Sequence, residues 1–169
     1  MMTPEEEAFL TTQINSSIKL LQGRISNEEW AKDVGVLEDF RTFEPDSMEQ
    51  ETLISGNPLS RASVFIRYDY TGDKKINITQ IKLSLYKPIY LPIREIDRKF
   101  KFSNRSREDA PYFNMERIPQ SWPYYYEIKK GFRDKFAVNV GIDYTWQNRD
   151  EWKVSDDVDG FSFTQISGN

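Results

Sequence analysis

Residues 136–146 read FAVNVGIDYTW. Phe136, Val138, Val140, Ile142, Tyr144 and Trp146 alternate with Ala137, Asn139, Gly141, Asp143 and Thr145, the two-residue period of a strand with one face on a core. A sheet therefore organises the chain, and the flanking segments are placed around it. Upstream, Val64, Ile66, Tyr68 and Tyr70 alternate with Ser63, Phe65, Arg67 and Asp69, Thr71-Gly72-Asp73-Lys74 supplies a turn, and a second run extends from Ile76 to Tyr86. This pattern predicts a hairpin. Ile76 and Ile78 share one parity, whereas Ile81, Leu83 and Leu85 have the other, so a β-bulge is expected at Thr79-Gln80.

Towards the C-terminus, Tyr124-Tyr125-Tyr126 reads as the opening of a strand. Trp152 to Val154 and Phe161 to Ile166 read as two last strands around an acidic turn, Ser155 to Gly160. Pro88 and Pro92 interrupt pairing over residues 87–93, and a short strand is expected around Lys99 to Phe102. Pro111, Pro119 and Pro123 mark irregular structure wrapped over the sheet, because Tyr112, Phe113 and Trp122 are too apolar for disorder.

The N-terminal part has a different period. Thr3, Pro4 and Glu6 form a capping box with acidic residues at the positive end of a helix dipole, and Leu10, Ile14, Ile18, Leu21 and Ile25 line one face. Gly23 weakens or ends that helix. Ser26 with Glu29 is a second capping box, after which Trp30, Val34, Leu37 and Phe40 continue as an apolar stripe towards Pro45. Residues 44–57 are polar and without period, which predicts a loop. Two helices followed by strands make an α+β domain over residues 1–169: a helical part, 1–43, packed on a mainly antiparallel sheet formed by a β-rich part, 60–169.

The chain has 169 residues, of which 38% are hydrophobic and 30% charged, enough for a core that needs no disulfide or metal. It contains no Cys and no His, which removes thiolate nucleophiles, Cys/His zinc sites and imidazole-based triads. No glycine loop for phosphate is present, and no cofactor motif. Asp156-Asp157-Val158-Asp159-Gly160 resembles part of a calcium loop, but Ser155 and Ile166 stand where the end ligands belong, so no metal site is assigned. The first seven residues lack the basic and apolar regions of an export signal, and no apolar run approaches the ~20 residues that cross a bilayer. A cytoplasmic protein without a membrane partner is expected.

Charge is segregated: residues 1–60 carry −8, 61–135 carry +8 and 136–169 carry −4. Either the acidic ends pack against the basic middle or each block faces a partner. The 24 aromatics are also uneven, with 17 from Tyr86 onward. With no catalytic residue assigned, these features point to a non-enzymatic protein-binding domain. It would act as an inhibitor or immunity-type partner that neutralises a basic protein such as a toxin nuclease. Its contacts would be Glu28, Glu38, Asp39, Glu44, Asp46 and Glu49 on the acidic side, with Trp122, Tyr124 and Tyr125 as anchors. An alternative is single-stranded nucleic-acid binding by the basic, aromatic segment 94–107, through Lys99, Lys101, Arg105 and Arg107; the acidic pI of 5.1 argues against it. A carboxylate-based, metal-dependent hydrolase is a further alternative, although no spacing picks out its acids. A homo-oligomer formed through an uncovered edge of the 136–146 strand is the last.

Overall fold

The computed structural model describes residues 2–36, 49–54, 62–70, 76–102, 105–107, 124–148, 150 and 153–166. In chain order its elements are α1 (Pro4–Leu21), α2 (Asn27–Val34), β1 (Glu49–Ile54), β2 (Ala62–Tyr70), β3 (Ile76–Tyr90), α3 (Ile93–Phe100), β4 (Arg105–Arg107), β5 (Tyr124–Ile128), β6 (Ala137–Asn148) and β7 (Lys153–Ile166). The class is α+β, with α1 and α2 packed on an antiparallel sheet and α3 as one further helix. Six strands run in the order β1-β2-β3-β7-β6-β5, and the three-residue β4 extends the sheet beyond β5.

The helix ends follow their capping chemistry. Thr3 Oγ1 accepts the Glu6 N–H and Glu6 Oε1 accepts the Thr3 N–H, each at 3.1 Å, while Pro4 opens α1. Ser26 Oγ accepts the Glu29 N–H at 3.1 Å to start α2. Gly35, at φ +81°, stops α2 after Val34, because the left-handed C-cap diverts the backbone. Of the expected stripe, Trp30 and Val34 lie on α2, and Leu37 and Phe40 lie outside the described residues.

Register turns the alternating residues into one core. Val64 faces Leu83, Ile66 faces Ile81, Ile81 and Leu83 face Phe163 and Phe161, and these in turn face Val140 and Ile142. All of these side chains are buried, together with Leu10, Ile14 and Leu21 of α1 and Trp30 and Val34 of α2. α2, with 8 residues, is marginal alone, and burial of about 1.5–3 kcal/mol per large apolar side chain holds both helices on the sheet. The expected bulge is present: Arg67 pairs with Gln80 and Tyr68 with Ile78, which leaves Thr79 as the extra residue and brings both parities of β3 to the core.

Four local expectations are corrected. Glu49–Ile54 is a strand inside the segment read as a loop, and its side chains share register with β2, Glu49 opposite Arg67. Residues 93–100 form α3 in place of a strand around Lys99. Ile93, Ile96 and Phe100 sit at helical spacing against the core, and Lys101, at φ +51°, caps the end. The acidic stretch 155–160 lies within the continuous strand β7, since β6 is long enough to pair on both sides of it. Finally, β6 is an interior strand between β5 and β7, so the edge proposed for self-pairing is already used. Among the described residues no helix is long and apolar enough to cross a membrane.

Candidate functional site

Between the pairs Ser84–Gly160 and Ile89–Val158, β3 advances five residues while β7 advances two. Pro88 has no N–H to give to the ladder, and the surplus of β3 bows outward there. Tyr86 is 75% and Tyr90 55% exposed, with Lys87 and Pro88 exposed between them. Tyr90 lies opposite Asp157, and Asp156 and Asp157 are both exposed. The bow is anchored: the Leu91 N–H donates to the Asp156 carbonyl at 2.9 Å, and the buried Tyr144 hydroxyl donates to the Leu91 carbonyl at 2.6 Å. Tyr90 and Asp157 are thus register partners, with Tyr86 and Asp156 exposed nearby along the same two strands.

Among the described residues, the candidates singled out from the sequence do not gather at one place. Glu28 is exposed in the first turn of α2. Glu49 lies on β1, where Oε1 accepts from Arg67 Nη2 at 2.6 Å and Nε at 3.1 Å. Tyr124 and Tyr125, on β5, are half-buried, and Tyr124 packs edge-on against Tyr144 at 5.7 Å. Five strand spacings separate β1 from β5, about 24 Å at the usual inter-strand distance, so Glu49 and the tyrosines are not parts of one small patch. Glu38, Asp39, Glu44, Asp46 and Trp122 lie outside the described residues.

Of the basic candidates, Lys99 is largely buried and its Nζ sits 2.8 Å from Glu7 Oε1 of α1, while Lys101 is exposed at the end of α3. Arg105 and Arg107 occupy β4, in register with Tyr126 and Tyr124. Lys99–Glu7 pairs a cation of the basic segment with an anion of the acidic one, whereas Arg24–Asp134 pairs the minority charge of each, so internal pairing accounts for one contact between the segregated blocks among the described residues. Among the described residues no group of three or more carboxylates is placed to hold a metal ion.

The sequence reading missed a second site, on the sheet face opposite the helices. Asp143 is only 2% exposed, and its Oδ1 has no hydrogen-bond partner. It is paired with Gly160 of β7, where a Cβ would lie 2.9 Å from Asp143 Oδ2 and 2.7 Å from the Leu83 carbonyl oxygen. Burial pushes the Asp143 carboxyl up to about 6; Lys82 opposes this, Asp159 adds to it, and Ser162 supplies a side-chain hydrogen bond that holds it down. Asp159 is also raised, by its own burial against the pull of Lys82. On sequence parity Asp143 belongs to the polar side of β6 and reads as solvated; the small Gly141 and Gly160 around it were the only signal that this face closes over it. Comparison of the chain with protein-family models, curated proteins and solved structures finds no match in any of the three.

Proposed function

We propose that the chain is a non-enzymatic protein-binding domain for a basic partner, which it neutralises as an inhibitor or immunity-type protein does. The observation that supports this reading is the stretch of β3 and β7 where exposed Tyr90 lies opposite exposed Asp157, with Tyr86 and Asp156 also exposed on the same two strands. Tyrosine brings a large, rigid contact area at small entropic cost, and flanking carboxylates steer a cationic surface into contact. The net charge of −4 acts in the same direction. Lys99 is held by Glu7, which removes one cation from the set that single-strand binding would use.

The test is capture of partners by the intact tagged protein from lysate of its native cells, with and without nuclease, using wild type and the Tyr86→Ser/Tyr90→Ser double variant. A basic protein retained in stoichiometric amount after nuclease, weakened by salt and reduced at least about tenfold by the double variant, is the expected result. Recovery dominated by nucleic acid, or a protein partner indifferent to both tyrosines, overturns the assignment of this surface.

A further inference from the structure

We propose that Asp143 is a proton-operated latch in the sheet: neutral, its carboxyl lies closed over Gly160, and ionised, it drives the β7 segment Asp159–Gly160 away from β6. Three geometric facts place it there. The side chain is fully enclosed, its Oδ1 lacks any partner, and its Oδ2 occupies the space that only a glycine at 160 leaves free. A carboxylic acid tolerates such a position far better than a carboxylate, whose desolvation must be offset by hydrogen bonds or a counter-charge.

The ladder is also interrupted beside this point. Gly160 pairs with Asp143 and Ser84, and Val158 pairs with Tyr144 and Ile89, so Asp159 has no register partner on either neighbouring strand. Movement of Asp159 breaks no register pairing of its own, and movement of Gly160 breaks two, to Ser84 and Asp143. The charged and titratable groups facing Asp143 among the described residues are Lys82 from β3, Asp159 from β7 and Tyr125 from β5, opposite Gly141 two residues away on the same face. Lys82 is exposed and attracts both carboxylates, whereas Asp159 resists ionisation of its neighbour. The chain has no His and no Cys, so a side-chain titration near neutrality belongs to a displaced carboxyl. Nothing in the latch requires a binding partner.

The sign follows from linkage. A raised carboxyl pKa gives stability that is fully present below the unfolded value and is lost as pH rises through the folded one. With the folded value at about 6, the folding constant should fall about tenfold between about pH 5 and pH 7.5. The experiment is a carbon-13 carboxyl titration of the intact wild type, with amide exchange at Gly160 and Ser162 followed across the same range and corrected for intrinsic rates. An Asp143 midpoint near 6, with protection at both amides falling through it, is expected. Thermal and urea unfolding of Asp143→Asn should then show most of the pH dependence gone. An Asp143 midpoint below about 4.5, amide protection that ignores the titration, or an Asp143→Asn protein that keeps the full pH dependence overturns the latch. The titration uses the wild type alone and stands even if the variant fails to fold.

Discussion

Asp134 and Asp143 are both buried, at 6% and 2% exposure, yet the fold treats them in opposite ways. Asp134 lies in the β5–β6 connection against the end of α1. Arg24 donates from Nε to its Oδ1, and the Gly131 N–H donates to its Oδ2 at 2.8 Å. Burial alone would raise its pKa, but Arg24 and Gly131 outweigh burial and leave the carboxyl below the ordinary value. Asp143 meets the same burial with a partnerless oxygen and a second carboxylate nearby, and it is raised to about 6. The difference teaches that enclosure does not set the charge state; the donors built around the enclosed group do. It also separates two roles, since Asp134 ties α1 to the sheet whereas Asp143 is a point where the sheet gives way.

The sharpest way to break this contrast is to make Asp134 resemble Asp143. Arg24→Ala removes the counter-charge and leaves a buried carboxylate with the Gly131 amide as its remaining donor. A loss of about 2 kcal/mol at neutral pH is expected, between the cost of breaking a buried pair and that of a surface pair because Arg24 is itself nearly half exposed. The pH dependence carries the same information. A lowered carboxyl contributes stability above its unfolded pKa that is lost as pH falls through the folded one, so wild type owes part of its acid sensitivity to Asp134. Urea unfolding should show that contribution disappear in Arg24→Ala, and an unchanged acid limb would mean that the pair is worth nothing to the fold.

The sequence carried the framework of this contrast but neither carboxyl. Alternation at 136–146 and 63–86 was legible because period two with β-branched and aromatic residues has one structural meaning, and the bulge at Thr79 followed from a parity slip. The capping box of α1 and the Ser26 N-cap of α2 were legible because each is a short local motif, although α2 shows the Ser26 half of its expected box and not the reciprocal Glu29 bond. By contrast, β1 is polar over its first four positions, Glu49 to Thr52, and lies at the edge of the sheet, so its strand character comes from β2 and not from its own composition. Helix α3 hid under its charges, with Ile93, Ile96 and Phe100 too few to override Arg94, Arg98 and Lys99 in a reading for period. Long-range pairing placed the rest: the Arg24–Asp134 contact spans 110 positions, and the exposure of Tyr86 and Tyr90 arises from a mismatch in advance between two strands.

An effect of similar size is expected from closing the space under Asp143. Gly160→Ala puts a methyl 2.7 Å from the Leu83 carbonyl oxygen and 2.9 Å from Asp143 Oδ2, and the backbone atom cannot yield as a flexible side chain would. Overpacking of this kind costs about 1–3 kcal/mol. Gly35→Ala is the useful control, because nothing lies within 4 Å of its Cβ position and its cost comes from the φ of +81° alone, about 1 kcal/mol. Parallel urea titrations should rank Gly160→Ala below Gly35→Ala in stability; the reverse order would show that the carboxyl and β7 have room to spare.

The smallest change in stability should come with the most informative shift in titration. Lys82 is exposed on β3 and holds down both Asp143 and Asp159 by charge attraction alone. Lys82→Gln keeps most of the aliphatic stem, so the folding free energy at neutral pH should change by less than about 1 kcal/mol, as for other exposed charges. The Asp143 midpoint, read from its carboxyl resonance, should nevertheless move upward, because the attraction that favours ionisation is lost while burial and Asp159 remain. Added salt should narrow the gap between wild type and variant, since Lys82 acts through a solvent-accessible path that counter-ions screen. A midpoint that stays in place would show that Asp143 is governed wholly by its enclosure, in which case the latch answers to pH but not to anything that binds or neutralises Lys82. An upward shift instead makes Lys82 the surface handle of a buried proton, the feature that Asp134, with Arg24 built into its own contact, does not have.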